Sequence, residues 1–121
     1  MQKNILNSHL EDCCLDPITG FRRNGQCESC NDDPGMHTVC AVMTADFLNY
    51  SKQQGNDLIT PREEFGFPGL KPGDRWCVCL GRWLEALEAG VAPKIYPRAT
   101  HQSVLEHVPI EVLEKYAIAD S

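Results

Sequence analysis

The sequence has no block of basic residues and no long apolar run. Its 121 residues include 11 Lys and Arg against 17 Asp and Glu, which gives a formal net charge of −6. Nucleic-acid binding needs a positive field that displaces counterions, so this balance argues against a nucleic-acid partner. No apolar run approaches the roughly 20 residues that a membrane-spanning helix needs, so we expect no membrane partner.

The first six residues also lack the apolar core of a signal peptide, and we therefore expect a cytoplasmic location. In the reducing cytosol, the seven cysteines are expected to be thiols or metal ligands rather than disulfides. The oligomeric state stays open.

The remaining features predict an α+β fold in a single domain over residues 1–121, with a small central sheet and three to four packed helices. The N-terminal third is rich in Asp, Pro, Gly and Asn and is expected to consist of loops. Apolar and β-branched residues predict strands at 37–43 and 75–80, each followed by a helix. We expect the two strands to be hydrogen-bonded neighbours or to be separated by one strand. The weaker elements are strands at 3–7 and 94–98, a helix capped by Thr100, and a last helix after Pro109.

The stretch 62–83 holds both tryptophans and two Pro-Gly turns. In Pro68-Gly69 and Pro72-Gly73, proline restricts φ and glycine can take the positive φ of a type II turn. Two such turns predict a stiff loop. Because ordering a loop costs conformational entropy, a stiff loop suggests that a site needs it held in place.

Cysteines on the two predicted strands suggest a metal site. Alternation places Arg75, Cys77 and Cys79 on one face of the second strand. Cys40 of the first strand can lie opposite either cysteine, and three thiolates with one imidazole form a tetrahedral zinc site. The candidate ligands are Cys40, Cys77, Cys79 and His37, although strict alternation puts His37 on the face opposite Cys40. The alternative is that these cysteines are buried packing residues.

A second zinc pattern pairs Cys27-x-x-Cys30 with His37-x-x-Cys40. Only six residues separate the two pairs, which disfavours a zinc module. Residues 31–35 will not support a helix, so a redox-active C-x-x-C is disfavoured as well.

Catalysis by a cysteine thiol is the alternative to a metal site. His101 falls on an apolar helix face that points to the interior, where it would pair with Cys77 or Cys79 as a catalytic thiolate–imidazolium. A histidine at such a position is more often a satisfied core residue. The two arginines of this region suit an anionic ligand or a surface ion pair. The candidate ligand-binding residues are Asp74, Arg75, Trp76 and Arg82.

Five motifs carry a resemblance to a known family: Asp16-Pro17-x-Thr19-Gly20-Phe21, His37–Val42, Gly55–Leu58, Phe67–Cys79 and Ala99-Thr100-His101. Together they resemble the bacterial domain-of-unknown-function family 2237 over nearly the whole chain. That family is uncharacterised, so the resemblance implies no activity, substrate or cofactor. Cys13 and Cys30 fall outside its pattern, which weakens the zinc module that uses Cys30. The matching residues are Cys14, Cys27, His37, Cys40, Cys77, Cys79 and His101.

Three hypotheses follow. The first is a protein that binds a small ligand or a metal, with zinc as the candidate, in a pocket lined by Cys and His. The second is a thiol-dependent enzyme using Cys77 or Cys79 with His101. The third is a protein-interaction module that docks through the Pro-Gly loop 65–75.

Overall fold

The computed structural model describes residues 2–15, 18–21 and 23–118, apart from the side chain of Phe65. Asp16 and Pro17 of the first family motif therefore lie outside the described residues. The fold is α+β, and it is built on a two-stranded antiparallel sheet.

The sheet pairs β1 (His37–Val42) with β2 (Arg75–Cys79). The two strands are therefore hydrogen-bonded neighbours, which is one of the two arrangements that the sequence predicts. Cys40 lies opposite Cys77 in the register, and Ala41 lies opposite Trp76. The register shifts between His37 and Val39, where Thr38 forms a bulge.

A helix follows each strand, as the sequence predicts. Helix α1 (Ala45–Gln53) begins after Thr44, whose hydroxyl oxygen accepts a hydrogen bond from the Phe47 amide at 3.0 Å. Helix α2 (Leu80–Glu88) starts directly at the end of β2. Helix α3 (Ile110–Tyr116) follows Pro109. Within the described residues, none of the helices is long and apolar enough to cross a membrane.

The main core lies between the sheet and the helices. Helix α2 buries Leu80, Trp83 and Ala86, and the Trp83 indole N–H donates to the Pro93 carbonyl at 3.2 Å. Helix α1 adds Phe47 and Leu48. A second, smaller cluster consists of buried cysteines and Ala99, with Tyr96 packed against it. The cysteines in that cluster are Cys13, Cys27, Cys40 and Cys77.

The two weaker strand predictions were wrong. In place of strands at 3–7 and 94–98, the structure has isolated bridges such as those of Asn4 with His101 and of Ile95 with Ala41. Pro97 has no N–H to continue a ladder. The Asn4 side chain ties its segment into a loop instead, donating to the Arg98 carbonyl at 3.0 Å.

The helix predicted after Thr100 also differs. It is the 3₁₀ helix Gln102–Glu106, and its N-cap is His101, whose Nδ1 accepts from the Ser103 amide at 3.0 Å. The Thr100 hydroxyl is not a cap because it donates to the Tyr96 carbonyl at 2.9 Å and accepts from the Cys40 amide at 3.2 Å. Thr100 therefore binds the edge of β1.

Candidate functional site

Three side chains at the end of β2 form a hydrogen-bonded chain that we call the Cys79 site: Cys79, His37 and Asp33. Cys79 Sγ lies 3.2 Å from His37 Nε2. His37 Nδ1 lies 2.8 Å from Asp33 Oδ1. An ionised carboxylate only accepts hydrogen bonds, so Nδ1 carries the proton and Nε2 faces the sulfur. This is the order of groups in a nucleophile–base–orienting-acid triad.

The bulge at Thr38 brings His37 to Cys79. In strict alternation, His37 and Cys40 lie on opposite faces of β1. One extra residue in a strand moves the side chains that precede it to the face of the sheet opposite to the one that strict alternation gives. His37 consequently pairs with Cys79 in the register, two places along β2 from the Cys40–Cys77 pair.

A tight turn before β1 positions Asp33. The Met36 amide donates to the Asp33 carbonyl at 3.2 Å, and the His37 amide donates to Asp33 Oδ2 at 2.8 Å. Met36 takes a left-handed φ of 51°, which is uncommon for a residue with a side chain. A Cβ on Gly35 would lie 3.2 Å from Cys79 Sγ, so glycine leaves room for the sulfur.

Burial shapes the electrostatics of the site. The Asp33 side chain is 1% exposed, while that of His37 is 30% exposed. The hydrogen bond that His37 shares with Cys79 is the main cause that raises the His37 pKa above its usual 6.5; Asp33 adds to the shift, and burial opposes it. His37 therefore binds a proton more strongly in the folded protein than a free imidazole does.

Three cavities meet at this site. A groove of about 460 Å³ runs along the start of α2, with Cys79, Met36 and Leu84 among its walls. A cavity of about 40 Å³ has Cys79 and His37 among its lining residues. Beyond His37, it adjoins a cleft of about 250 Å³ that we call the arginine cleft, after Arg23 and Arg62. The thiol is thus reachable from the surface.

Disulfides join four of the seven cysteines, so the expectation of reduced thiols was wrong for those four. Cys13 is bonded to Cys40 and Cys27 to Cys77, with Cα–Cα distances of 5.7 and 5.3 Å. All four side chains are fully buried. The sulfur atoms of Cys13, Cys27 and Cys77 lie within 4.8 Å of one another, a spacing that a metal ion could bridge. Cys14 and Cys79 keep free thiols.

The structure places the predicted catalytic residues apart. Cys77 is in a disulfide in the buried cluster, so of these two cysteines it is Cys79 that has a free thiol. The His101 ring contacts Ser103, 2.9 Å from Nδ1 to Oγ. Burial lowers the His101 pKa, so this ring is neutral near pH 7. The imidazole that meets Cys79 belongs to His37.

The four predicted ligand-binding residues lie on different surfaces. Arg75 stacks over the Tyr96 ring at 4.6 Å, in a cleft separate from the Cys79 site. The Asp74 carboxylate accepts from the Lys71 amide at 2.9 Å and closes a turn. Trp76 lines the small cavity beside the thiol, and Arg82 lines the groove.

The loop 65–75 has a hydrogen-bonded turn at Pro72-Gly73, where the Asp74 amide donates to the Lys71 carbonyl at 3.0 Å, whereas after Pro68-Gly69 the Leu70 amide donates to the Leu58 carbonyl at 2.8 Å instead of closing the predicted turn. Gly69 and Gly73 have φ values of 82° and 97°, which confirms the prediction of positive φ. Leu70 is buried. The described side chains that expose large apolar surface all lie outside this loop: Leu6, Leu15, Ile18, Phe21 and Leu105.

Sequence reasoning missed Asp33, Arg23 and Arg62. Asp33 had one usable signal: it opens an Asp-Pro-Gly turn four residues before a histidine, at the entrance to a strand. The two arginines are 39 positions apart and carry no shared motif. Their proximity arises from the fold alone.

No curated protein matches the sequence. The family model described as an uncharacterized protein conserved in bacteria, domain of unknown function 2237, matches residues 3–117. The chain therefore belongs to this bacterial family of uncharacterised proteins.

Proposed function

We propose that this protein is a thiol-dependent enzyme of the acyl-transfer class. Cys79 is the nucleophile, His37 its general base, and Asp33 the residue that orients His37. The observation that carries the proposal is the Sγ–Nε2 distance of 3.2 Å, continued by the Nδ1–carboxylate distance of 2.8 Å. A nucleophile within hydrogen-bonding reach of a base that a third group orients is the signature of covalent catalysis.

The reaction would proceed in two halves. The Cys79 proton passes to His37 Nε2 while the sulfur forms a bond to the carbonyl carbon of an acyl substrate. The leaving group departs with that proton, and a thioester remains on Cys79. Water then adds to the thioester, giving a proton to His37. The C–S bond breaks, the carboxylic acid leaves, and the sulfur regains its proton.

The start of α2 supports this chemistry. Cys79 is the residue before the first turn of the helix, and Gly81 and Arg82 line the same groove. The Leu80 amide is already used, since it donates to the Met36 carbonyl at 2.9 Å. The next amides of a helix have no intrahelical acceptor, and they favour the negative charge that develops on a substrate oxygen.

The proposal keeps Cys79 from the sequence hypothesis and replaces His101 with His37. It also retains a small-molecule substrate and the cytoplasmic location as parts of the proposal. Reduction of a disulfide requires access of the attacking thiolate to sulfur. Full burial of the four bonded cysteines is consistent with disulfides that persist beside a reactive thiol in a reducing compartment.

Alkylation kinetics test the proposal. We expect Cys79 to react with iodoacetamide at pH 7 faster than Cys14 of the same molecule, as measured by peptide mass mapping. His37→Gln should slow Cys79 roughly 100-fold, the lower end of the range for loss of a positioned base. His101→Gln is the matched control, which removes an imidazole elsewhere and should leave the Cys79 rate unchanged. Equal rates at Cys79 and Cys14, or no effect of His37→Gln, would contradict the proposal.

A second candidate function is zinc binding by the reduced cysteine cluster. The close approach of Cys13, Cys27 and Cys77 favours it. Cys40, opposite Cys77 in the sheet, is the fourth candidate ligand. A dithiol reductant would supply two electrons and two protons to each disulfide, and four thiolates would then bind the metal with release of protons.

Cobalt serves as a coloured substitute for zinc in the test. We expect anaerobically reduced protein to bind one Co²⁺ with the charge-transfer absorption of thiolate ligands. Cys14→Ser should not change the absorption, and Cys77→Ser should abolish it. Reduced, folded protein that binds no cobalt would exclude this function.

A further inference from the structure

We propose that the substrates of the Cys79 site carry an anionic group, a carboxylate or a phosphate, which binds in the arginine cleft beside His37. This inference rests on the proposed thiol chemistry and adds a substrate class to it. Arg23, Arg62 and His37 line the cleft together with Leu58, Phe67 and Trp76.

The arginine cleft is continuous with the thiol. His37, Leu58 and Trp76 line both this cleft and the small cavity that reaches Cys79. A ligand in the cleft therefore lies next to the imidazole that contacts the sulfur. The cleft volume of about 250 Å³ suits a small acid.

Two contacts fix the guanidinium group of Arg23 in a position where it can bind a ligand. Its guanidinium carbon lies 5.0 Å from the centre of the Trp76 ring, and its Nη1 donates to the Gly20 carbonyl at 2.7 Å. A stacked guanidinium with one of its five donors engaged loses little freedom when it binds a carboxylate or phosphate in bidentate fashion. The backbone of Arg23 has a φ of 55°, so a left-handed conformation directs this side chain.

Arg62 is placed by its backbone. Arg62 and Phe67 exchange two hydrogen bonds of 2.8 and 3.0 Å that close the loop between them. Across the described part of the chain, neither Arg62 nor Arg23 forms an ion pair. Two unpaired guanidinium groups on one cleft are notable in a protein with a net charge of −6.

The cleft also contains a carboxylate. Asp57 lines it and stays ionised, because hydrogen bonds from Thr60 and the Ile59 amide lower its pKa to about 2. Its Oδ1 accepts from the amides of Ile59 and Thr60 at 2.9 and 3.1 Å, so this carboxylate is bound to its own loop. Arg23 and Arg62 carry two positive charges, and the one carboxylate, Asp57, is already hydrogen-bonded to its own loop. The surface of the arginine cleft is therefore positive.

Two alkylating reagents of nearly equal size provide the test. Iodoacetate is anionic and iodoacetamide is neutral. Both form an S–C bond with Cys79, release iodide, and leave the thiol proton to His37 and then to solvent. We expect the iodoacetate-to-iodoacetamide rate ratio at Cys79 to exceed that of N-acetylcysteine at least about fivefold at low salt.

Arg23→Gln and Arg62→Gln should each lower this ratio, because the loss of a guanidinium slows the anionic reagent more than the neutral one. Arg98→Gln is the charge-matched control, since Arg98 lies in the separate cleft with Arg75. Far-ultraviolet circular dichroism checks that each variant folds, and two independent variants keep the test valid if one does not. Protection of Cys79 by phenylacetate or by inorganic phosphate separates the two anion chemistries.

The outcomes separate the two proposals. A ratio equal to that of N-acetylcysteine, or a raised ratio that is unchanged in both arginine variants, would contradict the proposal of an anionic substrate. If iodoacetamide still reacts fast in that case, the proposal that Cys79 is the nucleophile is retained. A Cys79 that is inert to both reagents overturns both proposals. A raised ratio that both arginine variants lower supports the anion site.

Discussion

Asp33 is the residue on which the Cys79 site most depends. Its buried carboxylate accepts from the His37 backbone amide at 2.8 Å and from the ring Nδ1 at 2.8 and 2.9 Å. These bonds set both the tautomer and the orientation of the ring. At the same scale, the missing side chain of Gly35 leaves space for the sulfur, since a Cβ there would also lie 3.4 Å from the His37 ring.

The first prediction therefore concerns Gly35→Ala. A methyl group 3.2 Å from Cys79 Sγ should displace the sulfur by a few tenths of an ångström and slow its alkylation about threefold to tenfold. Peptide mapping measures the rate, and thermal unfolding checks the fold. Gly81→Ala is the stability control: its Cβ meets nothing within 4 Å, and alanine favours the helix by up to about 1 kcal/mol. An unchanged Cys79 rate in Gly35→Ala would contradict this account.

The second prediction concerns pH. The His37 pKa is raised above 6.5 by Cys79 and Asp33, so the folded state binds a proton more strongly than the unfolded state. This contribution to stability is complete below the unfolded pKa and is lost as the pH rises through the folded pKa. Urea midpoints of the wild type should therefore fall more steeply above pH 6.5 than those of His37→Gln. Parallel curves for the two proteins would refute the assignment.

At the scale of elements, the antiparallel β1–β2 pair is the scaffold of the site. Apolar and β-branched composition was enough to predict both strands, and alternation correctly placed Cys40 opposite a cysteine of β2. Alternation failed at His37 because a bulge depends on how two strands fit together, and no local residue preference marks Thr38. The sequence therefore placed His37 and Cys79 among the candidate ligands of one zinc site but did not pair them as base and nucleophile.

The Pro-Gly loop that leads into β2 provides the third prediction. Both glycines have positive φ, so alanine is strained at either position and should cost roughly 1 kcal/mol. At Gly69 the new Cβ would also collide with the Ile59 carbonyl, whereas at Gly73 it would meet nothing within 4 Å. Gly69→Ala should therefore destabilise the protein by about 2–4 kcal/mol, more than its matched control Gly73→Ala. Equal unfolding free energies would show that the collision is relieved.

At the scale of the whole molecule, the disulfides connect the N-terminal loops to the sheet. Cys13 and Cys27 lie in segments with little regular structure, while Cys40 and Cys77 face each other on β1 and β2. Two covalent links across 27 and 50 residues reduce the conformational freedom of the unfolded chain. The two disulfides thus stabilise the N-terminal segments, whose loops cannot form a hydrophobic core by themselves.

The fourth prediction is the redox state of the isolated protein. Alkylation in denaturant without reductant should leave Cys13, Cys27, Cys40 and Cys77 unlabelled, and prior reduction should make them reactive. Replacing Cys27 and Cys77 together by serine and alanine should cost about 2–4 kcal/mol of unfolding free energy. Label on all four without reductant would show that the cluster is reduced in the isolated protein and favour the zinc candidate.

The sequence by itself determined the features that depend on neighbouring residues: two strands and their helices, the positive φ of Gly69 and Gly73, and the resemblance to an uncharacterised bacterial family. Only the tertiary structure decided which cysteine has a free thiol, which histidine meets it, and which arginines lie beside it. Each of these depends on contacts between residues far apart in the chain, or on one extra residue in a strand. Such contacts result from packing the whole chain, and no local pattern of residue types encodes them.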